Sequence, residues 1–145
     1  MKTTYWPDEQ NGLFKTLTGK KIVDVNGLSR GSTYVLIVFA DGSSIKFYHS
    51  QSCCEDVEVD DVCGCIDDLI GSTIYNIEKV SNNNYGPRDK YDSSYTWTFY
   101  KFKTSKGYID LRWYGSSNGY YSEEVHVEYF EPDEEDYKDN FDYKF

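Results

Sequence analysis

The sequence predicts an α+β fold that is mainly β: an antiparallel sheet of about six to seven strands, with one short helix near residues 63–71. Short runs of β-branched and aromatic residues recur between turns rich in Gly, Asn and Asp, and aromatic residues make up 18% of the chain. A length of 145 residues suffices for one buried core. We therefore expect a single β-rich domain over residues 17–131 and an acidic tail over 132–145. Residues 1–16 should form an N-terminal arm or a frayed short helix.

In the N-terminal half, local patterns predict strands that precede the helix. The strands cover residues 21–25, 33–39 and 44–48, and a further strand includes Val57 and Val59. Asp41-Gly42 between the second and third strands is a strong hairpin signal. The helix near 63–71 ends at Gly71, a residue typical of helix C-termini.

In the C-terminal half, the pattern predicts four strands and one long polar loop. The strands cover residues 72–80, 95–103, 108–114 and 120–130. The loop, residues 81–94, contains the breaker Gly86-Pro87, and its length makes it a candidate lid or binding loop.

The formal net charge is −10, and much of it lies in residues 55–68 and in the segment after Pro132. Such a charge repels duplex nucleic acid and anionic membranes, so neither is an expected partner. The N-terminal residues contain no apolar core of a secretory signal, and we expect a soluble, non-exported protein. The acidic segments serve either solubility or an acidic decoy surface for a basic or DNA-binding partner.

Four cysteines lie within thirteen residues, at positions 53, 54, 63 and 65. Their spacing lacks the C-x2-C pairs of structural zinc sites, although His49 makes a His/Cys metal site conceivable. On a strand, Cys53 and Cys54 would point to opposite faces, which argues against a shared site. We expect buried, reduced thiols, with no metal and no cofactor.

Catalytic motifs are not recognisable in the sequence. It contains no phosphate-binding P-loop, no G-x-S-x-G and no H-E-x-x-H, and its only histidines are His49 and His126. We therefore expect a protein that is not an enzyme.

Strand alternation sorts the aromatic residues of the C-terminal half by face. Predicted to point into the core are Ile109, Leu111, Trp113, Val125, Val127 and Tyr129. Predicted to point outward are Tyr95, Trp97, Phe99, Lys101, Lys103, Tyr108, Asp110, Arg112, Tyr114, Glu124, His126 and Glu128. Outward rings beside Arg and Lys suit the stacking of a nucleobase and contacts to phosphate, or else they pack against a second sheet or a dimer partner.

Two segments resemble a widespread family of small phage-encoded proteins that is defined only as a domain of unknown function. They are YHSQSCCEDVEVDDVCGCIDDLIG (48–71) and SYTWTFYKFKTSKGYIDLRWYGSSNGYYSEEV (94–125). The resemblance implies an anti-defence protein in the host cytoplasm during infection. Small phage proteins of this kind include anti-CBASS sponges, which bind cyclic nucleotide immune signals without cleaving them.

Under this interpretation the ligand is a cyclic nucleotide and the protein is a homo-oligomer, a dimer or tetramer. Bases stack on Trp97, Tyr114 or Tyr120, Arg112 and Lys101 meet phosphate, and Asn118 and Ser122 read base edges. The full set of candidate ligand-binding residues is Trp97, Tyr100, Lys101, Arg112, Tyr114, Asn118, Tyr120, Tyr121 and Ser122. The alternatives are an acidic protein–protein inhibitor or DNA mimic that blocks a host nuclease or immune effector, and an accessory interaction module without a small ligand.

Overall fold

Two antiparallel β-sheets make up most of the structure, a computed structural model in which residues 2–132 are described. The five-stranded sheet has the order β1 (Lys2–Tyr5), β9 (His126–Phe130), β4 (Ser44–Tyr48), β3 (Tyr34–Phe39) and β2 (Ile22–Asn26). The four-stranded sheet has the order β5 (Asp56–Cys63), β8 (Gly107–Ser117), β7 (Ser94–Thr104) and β6 (Ile74–Asn82). A 3-10 turn (Pro7–Glu9) leads into helix α1 (Gln10–Thr16), and helix α2 (Ile66–Leu69) lies between β5 and β6. The predicted class, α+β and mainly β, is confirmed.

The two sheets face each other across one hydrophobic core. Phe47 of β4 contacts Tyr100 and Phe102 of β7, with ring centroids 4.7 and 6.1 Å apart. Phe14 of α1 packs against both Phe47 and Tyr100. The predicted inward row Ile109, Leu111 and Trp113 is buried, as are Val125 and Val127, while Tyr129 is partly buried against the same core.

Residues 2–16 do not form the predicted arm. β1 pairs with β9, and Leu13 and Phe14 of α1 are buried in the core together with Leu17. These three apolar residues share one face of a helix, because residues three and four apart are neighbours on its surface. The short helix that was the alternative prediction is present, and its length of seven residues explains why periodicity alone could not decide between it and an arm.

The last aromatic strand is shorter than predicted and belongs to the other sheet. β9 starts at His126 and lies between β1 and β4, whereas residues 118–125 form the connection from the four-stranded sheet. The connection crosses close to Gly115, where a Cβ atom would lie 2.5 Å from the Glu123 carbonyl oxygen. His126, predicted to point outward, is buried, because the rings of Trp6, Tyr48 and His49 pack against it at 5.5–5.9 Å.

The predicted acidic tail, apart from Pro132, lies outside the described residues. Within residues 2–132, no helix is long and apolar enough to cross a membrane.

Candidate functional site

The candidate site lies on the face of the four-stranded sheet that points away from the core, here called the outer face. Trp97, Phe99 and Lys101 of β7 share this face with Arg112 and Tyr114 of β8. In the β7–β8 ladder, Trp97 lies opposite Tyr114, Phe99 opposite Arg112, and Lys101 opposite Asp110. The sheet therefore brings these five residues together, as alternation predicts.

Residues 83–93, here called the covering loop, lie over one end of the outer face. Trp97 Nε1 donates a hydrogen bond to the Gly86 carbonyl oxygen at 2.7 Å. The Tyr114 hydroxyl accepts from the Arg88 N–H at 3.1 Å and donates to Asp92 at 2.5 Å. Trp97 is consequently 7% exposed and Tyr114 only 1% exposed, so neither offers a free ring face for stacking.

The buried position of Tyr114 also affects its acidity. Burial, followed by the hydrogen bond to the Asp92 carboxylate, raises the pKa of Tyr114 to about 12. The phenol therefore stays protonated at neutral pH and keeps its hydrogen bond to the covering loop.

A second aromatic pair remains open to solvent beside the covering loop. Tyr85 of the loop lies 5.7 Å from Phe99 and 6.2 Å from Trp97 between ring centroids, and Tyr85 is 70% exposed. A groove of about 250 Å³ begins here. It is lined by Cys63, Val80, Asn82, Tyr85, Phe99, Lys101, Asp110 and Arg112.

Arg112 is held in an ion-pair network and is not a free phosphate ligand. Its Nε and Nη2 atoms both lie 2.8 Å from Asp60 Oδ2, and its guanidinium lies 5.5 Å from the Trp97 ring. Arg88 of the covering loop contacts the same carboxylate at 3.2 Å and Glu58 at 3.7 Å. Two arginines thus share Asp60, and their charges are largely compensated by acidic side chains of β5.

Sequence reasoning missed Asp60 and Arg88, although β5 contains a signal. Val57 and Val59 are two residues apart, but the next valine, Val62, follows after three. This change of spacing marks a β-bulge, which the structure contains between Val59 and Asp61. The extra residue lets Asp60 and the adjacent Asp61 both reach Arg112.

Lys101 is the exposed cation at the centre of the outer face. It lies opposite Glu78 of β6 on one side and Asp110 of β8 on the other. Among residues 2–132 its ammonium group has no ion-pair partner within 4 Å. A second groove of about 350 Å³ shares Lys101 and Asp110 with the first and extends to Lys103 and Tyr108. The Lys103 ammonium lies 6.0 Å from the Tyr108 ring, and that ring is exposed.

The structure does not bring the remaining loop candidates to this groove. Asn118 is six residues beyond Arg112, which corresponds to about 20 Å along an extended strand. The Asn118 and Ser122 side chains accept hydrogen bonds from the backbone N–H groups of Tyr120 and Glu124. Tyr120 is 85% exposed and contacts Tyr121. The four loop candidates therefore lie apart from the groove at Lys101. They are Asn118, Tyr120, Tyr121 and Ser122.

Tyr100 lies on the wrong side of the sheet for a role in the candidate site. It is fully buried in the core, because alternation points it away from Trp97 and Lys101. Its hydroxyl donates to Gln10 Oε1 at 2.6 Å, and burial raises its pKa well above the usual value. Tyr100 belongs to the core.

A polar cluster of His49, Glu55 and His126 lies beside the turn before β5. His49 Nε2 is 2.7 Å from a Glu55 carboxylate oxygen, and its Nδ1 is 2.7 Å from the Glu124 carbonyl oxygen. The His49 hydrogen bond, then backbone N–H groups, lower the pKa of Glu55 to about 2 despite its burial. Burial, then the neighbouring His49, lowers the pKa of His126.

The cysteines are not the buried residues that the sequence predicts. All four are free, exposed thiols. Cys53 and Cys54 lie in a bend rather than a strand, with their Sγ atoms 3.3 Å apart. Within the described residues, no three His, Cys, Asp or Glu side chains converge as a metal site.

The fold defines the class of this protein as a two-sheet, antiparallel β domain with a partly covered outer face. Residues 15–127, well over half of the chain, match the model of a family described as a domain of unknown function (DUF7448), and the chain belongs to that family. The match runs from α1 into β9 and so includes the whole outer face. The predicted membership in a family of unknown function is confirmed. No curated protein and no solved structure matches the chain.

Proposed function

We propose that this protein binds and sequesters a cyclic nucleotide, such as a cyclic dinucleotide immune signal, on its outer face without cleaving it. In this proposal it is a phage anti-defence protein that acts in the host cytoplasm during infection. The observation that carries the proposal is the open groove in which Tyr85 and Phe99 adjoin Lys101.

The aromatic part of the groove suits a nucleobase. Phe99 and Tyr85 form a tilted pair with one ring largely in water, so a base can stack on either ring. Stacking of this kind contributes about 1–3 kcal/mol per base. Tyr85 and Phe99 therefore replace Trp97 and Tyr114 as the proposed stacking residues.

The charged part of the groove suits a phosphate beside a base edge. Lys101 is an ammonium that can contact a phosphate oxygen, and Asp110 next to it can accept N–H groups of a base. A ligand that carries both an anionic group and N–H donors matches the neighbouring ammonium and carboxylate better than a simple polyanion does.

The dimensions favour a ligand with two bases. The two grooves share Lys101 and Asp110, and their volumes of about 250 and 350 Å³ lie near the lower end of the roughly 300–1,000 Å³ that ligand pockets span, so one ligand would extend over both. A second base would stack on Tyr108 while Lys103 meets a second phosphate. Because both grooves are open to solvent, we also propose that a second copy of the chain encloses the ligand in a dimer or tetramer.

The alternative of an acidic inhibitor or DNA mimic has less support. Of the seven acidic residues between positions 55 and 68, four are engaged within the protein. These are Glu55 with His49, and Glu58, Asp60 and Asp61 with Arg88 or Arg112. Acidic side chains whose charges are compensated in this way resemble the phosphates of a DNA backbone only weakly.

The proposal is tested by isothermal titration calorimetry against a panel of cyclic di- and trinucleotides. Phe99→Ala should weaken binding about 5–150-fold, the loss of one stacked base. Lys101→Ala should weaken it about tenfold and reduce its salt dependence, since one phosphate contact is lost. Lys15→Ala, an exposed lysine of α1 with the same charge change, is the matched control and should bind like the wild type.

Ligand that is released by heat denaturation of the protein should be chemically intact, because the proposal is sequestration without cleavage. The proposal fails if no member of the panel binds, or if Phe99→Ala and Lys101→Ala both bind as tightly as Lys15→Ala. Light scattering with and without ligand measures the oligomeric state separately.

A further inference from the structure

Cys53 and Cys54 form a pair of adjacent thiols whose geometry is unusual for neighbouring residues. Their Sγ atoms are 3.3 Å apart, and both side chains are exposed. In an extended strand, adjacent side chains point to opposite faces. Here the chain bends at both residues, so both thiols lie on the same side.

The bend is held by side-chain hydrogen bonds, two of which are accepted by the buried Glu55. The Glu55 carboxylate accepts the N–H groups of Ser52 and Cys53 at 3.0 and 2.8 Å, and it pairs with His49. The Gln51 amide donates to the Cys53 carbonyl oxygen at 3.2 Å. The two thiols are therefore brought together by the fold itself.

The two thiols have different electrostatic surroundings. The Tyr121 hydroxyl, followed by the Cys54 thiol, lowers the pKa of Cys53, although the Glu55 carboxylate opposes this effect. The pKa of Cys54 is raised, chiefly by Cys53. Because the thiolate is the nucleophile in thiol chemistry, Cys53 is the attacking sulfur and Cys54 the second thiol.

We propose that Cys53 and Cys54 are a redox-active dithiol, which low-molecular-weight disulfides oxidise to a disulfide between the two adjacent residues. This inference does not depend on nucleotide binding.

The reaction balances as an exchange with a disulfide RSSR. The Cys53 thiolate attacks one sulfur of RSSR, forms a mixed disulfide with it and releases RS⁻, which takes the proton of Cys54. The Cys54 thiolate then attacks Cys53 Sγ, breaks the mixed disulfide and expels the second RS⁻, which is protonated by solvent. The protein loses two protons and two electrons, and RSSR takes them up to become two RSH.

Oxidation should also change the structure around the two sulfur atoms. The Sγ atoms must approach from 3.3 Å to about 2.05 Å, which changes the turn that ends at Glu55. Cys54 also borders a groove of about 250 Å³ that contains Asp56, Tyr91 and Asn118. A disulfide would therefore alter both a buried ion pair and an exposed groove.

The experiment uses the full chain with Cys63→Ser and Cys65→Ser, so that only the adjacent pair can react. Incubation with 2-hydroxyethyl disulfide should lower the intact mass by two hydrogens and remove both free thiols, and dithiothreitol should restore them. Adding Cys54→Ser to this background should trap a mixed disulfide with one mercaptoethanol group at Cys53.

A second measurement tests whether Cys53 reacts because the Tyr121 hydroxyl stabilises its thiolate or only because its thiol is exposed to solvent. The pH profile of alkylation by iodoacetamide, measured in a Cys54→Ser background, should move to higher pH on Tyr121→Phe, because the stabilising hydroxyl is removed. The proposal is overturned if the adjacent pair takes up two mercaptoethanol groups, forms only intermolecular dimers, or does not react. An alkylation profile unchanged by Tyr121→Phe would overturn the role assigned to that hydroxyl.

Discussion

Glu55 shows how a single charged residue is accommodated in the interior. Its side chain is buried, yet its carboxylate faces His49 and two backbone N–H groups within 2.7–3.0 Å. The two ring nitrogens of His49 lie 2.7 Å from this carboxylate and 2.7 Å from the Glu124 carbonyl oxygen, so the ring bridges the Glu55 side chain and the backbone. A buried charge that is paired and hydrogen-bonded in this way avoids most of its desolvation cost.

This pairing makes a prediction about pH at the residue scale. The folded-state pKa of Glu55, about 2, lies below its ordinary value of 4.5. Its ionisation therefore adds to the free energy of unfolding above pH 4.5, and this contribution is lost as the pH falls toward 2. Glu55→Gln should be less stable than the wild type at neutral pH, and the difference should shrink between pH 4.5 and 2 in urea titrations.

Asp56→Asn is the matched control for this prediction, because Asp56 is the adjacent carboxylate and is exposed. It should leave the free energy of unfolding nearly unchanged at neutral pH. If Glu55→Gln behaves like Asp56→Asn at every pH, the His49–Glu55 pair does not stabilise the turn.

At the scale of elements, the Tyr114 hydroxyl makes two of the hydrogen bonds that attach the covering loop to the sheet. Tyr114→Phe removes the hydroxyl that bonds Arg88 and Asp92, and each lost hydrogen bond costs about 0.5–1.5 kcal/mol. We expect faster trypsin cleavage after Arg88 or Lys90, measured by limited proteolysis and mass spectrometry. Tyr108→Phe, an exposed tyrosine of the same strand and face, should be cleaved like the wild type.

Equal cleavage rates in Tyr114→Phe and Tyr108→Phe would show that the loop is held by its other contacts. These include the Trp97 bond to Gly86, the ring contacts of Tyr85 and the Arg88 ion pairs with acidic residues of β5.

The elements also show how far the sequence predicts the site. Alternation in β7 and β8 correctly predicts that Phe99, Lys101 and Arg112 share the outer face, because a strand's side-chain period is fixed by its backbone. The pairing of Arg112 with Asp60, 52 residues earlier in the chain, depends on a bulge in β5, and such long-range contacts leave little local signal. The same holds for the connection over residues 118–125, since nothing local indicates that the chain changes sheets there.

At the scale of the whole molecule, one buried hydrogen-bond chain joins three distant parts of the sequence. The Gln10 side chain, fully buried at the start of α1, accepts from the Tyr100 hydroxyl and donates to the Val125 carbonyl oxygen at 2.8 Å. It thereby connects α1, the four-stranded sheet and the segment that enters β9. The ring contacts of Phe14 and Phe47 with Tyr100 surround this chain with apolar material.

Tyr100→Phe therefore separates a role in stability from a role in binding. The substitution keeps the ring contacts but leaves Gln10 Oε1 buried without its donor, a cost of about 1–3 kcal/mol. We expect the free energy of unfolding in urea to fall by that amount, whereas Tyr75→Phe, at an exposed tyrosine of β6, should leave it unchanged. Nucleotide affinity should stay at the wild-type value, since Tyr100 faces the core. If the Tyr100→Phe protein folds but binds the nucleotide more weakly than the wild type, the prediction is wrong. The buried core would then contribute to binding on the outer face.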